Sequence, residues 1–438
     1  MRTKKRKNKK KQRLLLIISV CFLAGLVFTG ISLAIGFSGR KEGKIQDLLV
    51  DVEAQERAAM EITEEMWESF SADYCRFSAG LLVASMEVAE GEGENICLSP
   101  LSAFTALTLI ENGAGDRTLE EMEGILAGGE HVEVQNEILC AYLESLVNTE
   151  KANVETLHSL WFNEESEGLE IEQKFLERLK TFSQTCAFQL EFAPPAEQVI
   201  SRWVEENSGG RLSASLQELE EQATLYLFDG ISFDAWWREV YQEDQVREAL
   251  FFSEEGEEYE ISMMYGEEER FLSDEDSTGF LKAYEEGYLF FALLPREGIS
   301  MEEYLGSFTG EKLQKILASE EEATVHTGLP RFSQSCKIQM KDVLQRLGIE
   351  TVFDEVKADF SGIGEVKNGQ IFIQDIFHQT KIAVDTMGTR AASSTEVMVV
   401  ATSEPERIEE VILNRPFVYG IIDRERRLPL FLGVFMTV

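Results

Sequence analysis

Apolar positions along this chain follow two periods. From Met66 to Val88, apolar side chains at Phe70, Tyr74, Phe77, Leu81, Leu82, Met86 and Val88 recur every three or four residues, which predicts an amphipathic helix. Lys337 to Leu347 does the same with Met340, Val343, Leu344 and Leu347, and Gly348 stands where such a helix stops. Denser apolar runs predict strands over Thr224–Phe233, Tyr288–Leu294, Ile371–Phe377 and Lys381–Asp385. The last residues, FVYGIIDRERRLPLFLGVFMTV, predict a hairpin with DRERR as its polar turn. Helices toward the front and strands toward the back give an α+β fold with large sheets.

The N-terminus is patterned differently. Residues 1–13 form a basic tail, and Leu14 to Phe37 is an apolar span of 24 residues without a charge. That is long enough to cross a bilayer, and the adjacent Lys and Arg keep their end in the cytoplasm. Residues 14–37 are therefore expected to be a transmembrane signal-anchor facing the rest of the chain outward, with cleavage and secretion as the alternative. Val20 precedes Cys21, so no lipoprotein signal is formed. Residues 38–62 read as a charged stalk or solvated helix. With no repeat or linker beyond it, 63–438 is read as one large domain.

Composition narrows the function. Residues 1–40 hold 10 of the 41 Lys and Arg and no acid, so 31 basic face 79 acidic residues beyond them, a net charge of −48. Such a surface does not suit nucleic acid. The six cysteines are widely spaced and the four histidines, His131, His158, His326 and His378, are scattered, so buried thiols are expected and neither a disulfide framework nor a metal site. The chain has no nucleophile elbow, phosphate loop or dinucleotide fingerprint. Carboxylate runs such as Glu254-Glu255 and Glu267-Glu268-Glu269 read as solvated charge. A non-enzymatic, cofactor-free monomer is expected.

One stretch is unlike the rest. In GTRAASSTEVMVVATSEPER, residues 388–407, every side chain from Ala391 to Thr395 is small and uncharged, and Val397 to Ala401 is a hydrophobic run ending at Thr402. Composition alone leaves a linker, a strand or a convertible segment open.

Five segments, in order, resemble the serpin family. They are NICLSPLSAFTALTLIENGAGDRTLEEM (95–122), LFDGISFDAWW (227–237), TGLPRFSQSCKIQMKDVLQRLGIETVFDEVKADFSGI (327–363), HQTKIAVDTMGT (378–389) and NRPFVYGIIDRERRLPLFLGVF (414–435). The resemblance spans about 63–438 and implies a serpin-like single domain, helices on large mixed sheets with an exposed reactive loop. It is read as a bacterial, membrane-anchored member, since a sparse cysteine pattern suits a bacterial envelope. It further implies suicide-substrate inhibition, in which a protease cleaves the loop and the freed segment inserts as a new central strand. The hinge would be Gly388, Thr389, Ala391, Ala392, Ser393, Ser394 and Thr395, and the reactive bond would fall near Thr402–Ser403, between Val400 and Ser403, in a loop a few residues longer than the family's.

The hinge meets the demand of insertion, because alternate side chains of a strand enter one face. Thr389, Ala391, Ser393, Thr395 and Val397 are small or β-branched and uncharged, while Arg390 and Glu396 share the other face. The resemblance also implies a sheet-opening cluster of Ser99, Ser102, Asp229 and His378, with Trp237 where the loop first inserts. Asp229 stands where an asparagine is usual, and would make a pH-sensitive pair with His378. Thr386 and Met387 replace the usual acidic residues before the hinge glycine, and Arg390 a common glutamate. The expected partners are extracellular serine proteases, possible cysteine proteases included, of small or aliphatic specificity. A serpin fold without inhibition, serving as a binding or structural surface protein, is the alternative.

Overall fold

The computed structural model describes residues 45–389 and 407–438, apart from 56, 58–59, 90–92, 130, 183–184, 213–215 and 217–218. The first helix, α1 (Glu64–Val88), starts where Thr63 accepts the Met66 N–H at 3.3 Å and places Glu64 and Glu65 in its first turn, where the helix dipole favours them. Its buried stripe runs through Phe70, Tyr74, Phe77, Leu81 and Leu82, as the spacing predicts. The next helix, α2 (Pro100–Glu111), is buried along its whole length and is capped by Ser99, with Pro100 supplying a first-turn φ.

A seven-stranded sheet carries the site. Its strands are β1 (Gln46–Asp47), β2 (Ala152–Asn163), β3 (Thr185–Leu190), β4 (Leu225–Trp236), β5 (Phe332–Gln339), β6 (Ile373–Val384) and β7 (Gly388–Thr389). Their spatial order is β1-β3-β2-β4-β7-β6-β5, and β4 also pairs directly with β6. That central pair is parallel, with Asp229 opposite His378 and Ser232 opposite Lys381. A nine-stranded sheet lies on the other side of the core and contains the C-terminal hairpin, Phe417–Asp423 with Pro429–Phe435, which the sequence predicts. With nine α-helices among the described residues, the architecture is the expected α+β arrangement of helices on large mixed sheets.

Two expectations are corrected. The helix predicted from Lys337 starts at Met340, because Lys337, Ile338 and Gln339 are taken up by the β5–β6 ladder; it ends at Gly348, whose φ of 99° is the left-handed cap expected there. The runs Ile371–Phe377 and Lys381–Asp385 are one strand, β6. The polar residues between them, His378, Gln379 and Thr380, are buried; His378 bonds Asp229 and Thr380 donates to the Cys97 carbonyl at 2.6 Å. The described part of the expected stalk is mostly exposed and touches the domain at a few points. Gln46 and Asp47 pair with Phe188 and Gln189 of β3, Leu49 is buried, and the Gln55 N–H donates to the Glu177 carbonyl at 3.1 Å. Leu48, Leu49 and Val52 give this charged stretch an apolar edge to bury.

The described residues contain no helix long and apolar enough to cross a membrane; the span 14–37 lies outside them.

Candidate functional site

At the upper end of the seven-stranded sheet, the chain leaves β6 at Val384, turns, and returns as β7 between β4 and β6. The turn is an aspartate turn: Asp385 Oδ1 accepts the N–H groups of Met387 and Gly388 at 2.7 and 3.2 Å. Gly388 is required by close approach, because a Cβ there would lie 2.0 Å from the Ala235 carbonyl oxygen. Trp237 and Tyr241 donate backbone N–H bonds to the carbonyls of Met387 and Thr386, both at 2.9 Å. Backbone atoms thus anchor the two positions at which the sequence departs from the family's acidic residues, so the exchange leaves the anchor intact.

Thr389 is fully buried, and its hydroxyl meets the Tyr284 hydroxyl at 2.7 Å. Tyr284 stacks on Trp237 with ring centroids 4.3 Å apart, and Trp237 Nε1 donates to the Asp385 carbonyl at 2.8 Å. Trp237 therefore lines the place where β7 sits. Behind it, Lys282 lies over the Tyr241 ring at 4.4 Å and bonds Glu268 at 2.6 Å, with only 3% of its side chain exposed. Burial opposes the lysine's charge, yet Glu268 and Tyr241 raise its pKa overall. The reading of Glu267-Glu268-Glu269 as solvated charge is thus wrong for its middle member. Alternation along a strand turns Glu268 inward while Glu267 and Glu269 stay exposed. Glu254 is likewise engaged, accepting the Met301 N–H.

Further down the same two strands lies the polar cluster. Ser99 Oγ accepts the Ser102 N–H at 3.1 Å and donates to the Leu430 carbonyl at 2.7 Å, and the Ser99 N–H donates to His378 Nε2 at 3.0 Å. His378 Nδ1 and Asp229 Oδ1 are 2.7 Å apart, both side chains fully buried. The fold thus brings Ser99, Asp229 and His378 together. Ser102 contributes only its backbone, since its hydroxyl has no partner among the described residues. Trp237 is separate, just past the end of β4 and eight residues from Asp229, or about 26 Å at the usual rise. A fifth polar residue, His158 of β2, lies opposite Asp229 in the sheet register. Ala391, Ala392, Ser393, Ser394, Thr395, Thr402 and Ser403 lie outside the described residues.

Among the described residues of this site, the Ser99 hydroxyl is engaged by the Leu430 carbonyl and the Ser102 N–H rather than by His378. Of the free thiols, Cys97 is buried and pushed up to about 12 by that burial, which leaves it unreactive. What the geometry offers is mechanical: a strand already seated between two parallel neighbours, above a buried polar bond joining them.

The family profile described as serpin (serine protease inhibitor) matches residues 75–438. An uncharacterised serpin-like protein of Thermococcus kodakarensis is 28% identical over 355 residues, 79% of this chain and 82% of the relative. Human antithrombin-III is 26% identical over 405 residues, 88% of this chain and 84% of the relative. Among solved structures, the native state of the thermophilic serpin tengpin superposes with a TM-score of 0.83 at 31% identity, over 90% of this chain and all of tengpin. Tengpin in its latent state gives 0.74 at 29% identity, over 87% of this chain and all of tengpin. Human thyroxine-binding globulin with its hormone shares the fold, with a TM-score of 0.75 at 23% identity over 85% of this chain and 99% of that one.

Proposed function

This chain belongs to the serpin family, generally protease inhibitors, and on that premise we propose that it is a suicide-substrate inhibitor of extracellular serine proteases. The observation that carries the reading is the register of β7. Gly388 and Thr389 pair antiparallel with Trp236 and Ala235 of β4, and Thr389 also pairs with Val384 of β6. Continued downward, that register sets Thr395 opposite Asp229 and, independently, opposite His378. It runs out at Val399 and Val400, opposite Leu225 and Ile373, where β4 and β6 begin. A strand inserted in this register would end just before Thr402, the expected reactive residue. Thr389 faces the core, so Ala391, Ser393, Thr395 and Val397 would follow it inward, and these side chains are small or β-branched and uncharged.

Insertion replaces the direct β4–β6 ladder by two new ones. About ten added hydrogen bonds near 1 kcal/mol each give a driving force on the order of 10 kcal/mol. A protease bound covalently at residue 402 would be carried with the strand. The hydrophobic run before Thr402 suits proteases of small or aliphatic specificity, elastase-like or subtilisin-like. Residues 14–37 would tether the inhibitor to a cell membrane.

Mixing the protein with elastase-like, subtilisin-like and trypsin-like proteases tests this. A band that survives boiling in SDS, with a C-terminal fragment starting near Ser403, supports the reading. Complete cleavage without such a band by every protease tried counts against inhibition and favours a non-inhibitory binding protein.

A further inference from the structure

Asp229 lies between two histidines. The β2–β4 register sets His158 opposite it and the β4–β6 register sets His378 opposite it. The Ser99 backbone nitrogen can only donate, so His378 Nε2 accepts and the ring carries its proton on Nδ1, facing Asp229 Oδ1. A second proton on that ring would set Nε2–H against the Ser99 N–H. The other oxygen, Asp229 Oδ2, has no hydrogen-bond partner among the described residues, and neither has either ring nitrogen of His158. Both residues are nonetheless buried, with 0% and 1% exposed. Unpaired polar atoms at such depth are rare and call for a reason.

Loop insertion supplies one. A strand entering between β4 and β6 removes His378 from Asp229 but leaves the β2–β4 ladder, and with it His158, in place. We propose that His158 is a positioning residue held in reserve: when an inserted strand separates Asp229 from His378, the His158 ring takes one proton from solvent and pairs with the stranded carboxylate. This rests on the insertion reading above. No other bond forms or breaks; an imidazole becomes an imidazolium. A buried carboxylate without a donor is strongly unfavourable, and histidine is the side chain able to become a cation near neutral pH.

In the closed sheet, burial pushes His158 down to about 4, against the pull of Asp229 and with a further push from His378. The groups bearing on it are Asp229 from β4 and His378 from β6. Thr185 of β3, its other register partner, is uncharged, and so are Ser99 and Ser102 at the start of α2. Opening then consumes a proton. Acidification favours insertion, by about tenfold per pH unit, between the closed-sheet and open-sheet values of His158.

Histidine-labelled protein read by NMR tests this, since the chain has only four histidines and the side chains of His131 and His326 are 83% and 49% exposed. His158→Gln assigns the signal. The expected result is a His158 that is neutral at pH 7 in the intact chain and protonated at pH 7 after loop cleavage. Insertion should quicken as pH falls in the wild type, and His158→Gln, which offers a donor without a charge, should insert with that slope removed. An inserted, thermally stabilised form whose His158 stays neutral at pH 7 overturns the proposal alone. Cleavage with no thermal stabilisation overturns the insertion reading and this proposal together.

Discussion

Two buried contacts at the mouth of the sheet set the residue-scale expectations. Lys282→Met leaves Glu268 buried without its partner and should cost about 3–5 kcal/mol in chemical denaturation. Adding Glu268→Leu should recover most of that loss, which would identify the cost as an unpaired charge rather than lost packing. Tyr284→Phe removes only the hydroxyl facing Thr389 and should cost about 1 kcal/mol, with the fold unchanged by circular dichroism. The sequence exposes these residues unevenly. Ser99, Asp229 and His378 are legible because three motifs carry them in order. Lys282 stands alone in the apolar run GFLKAY, a signal that could have been followed. Glu268 is hidden among like neighbours, and only the direction of a strand distinguishes it. His158 sits in VETLHSLWF, where one histidine in a mostly apolar alternation reads as core. Its importance comes from two long-range registers that one sequence does not display.

At the scale of elements, the period of two in the hinge makes a paired prediction. Ala391→Asp puts a charge on the face that enters the core, and Ala392→Asp puts the same charge on the solvent face. The first should turn the inhibitor into a substrate, with SDS-stable complex reduced at least tenfold relative to cleaved product. The second should leave the ratio within about twofold. Each elementary misfit on the buried face costs roughly 1–3 kcal/mol or more, enough to slow insertion past protease release. Equal effects at both positions would show that the segment does not insert with this register. Helix α1 and the C-terminal hairpin are legible from periodicity. The continuity of β6 is not, because its polar centre, His378 to Thr380, looks like a break until its buried partners are known. The docking of residues 45–55 is also illegible, since its apolar contacts are few and dispersed among charges. Leu49→Ala should therefore cost about 2–5 kcal/mol although Leu49 lies in a stretch that reads as solvated.

For the whole molecule, the fold is a serpin's in a native-like arrangement, with β4 and β6 paired directly and, among the described residues, Gly388 and Thr389 between them at one end. On the proposed mechanism this pair opens and residues 390–400 complete the sheet once the loop is cut. Thermal unfolding of the chain before and after cleavage near Thr402 tests it most directly. With an insertion gain on the order of 10 kcal/mol, and each kcal/mol worth about 2 °C in a protein of this size, Tm should rise by about 20 °C. An unchanged or lower Tm after complete cleavage would mean that the freed segment stays outside the sheet and that the protein does not inhibit by insertion.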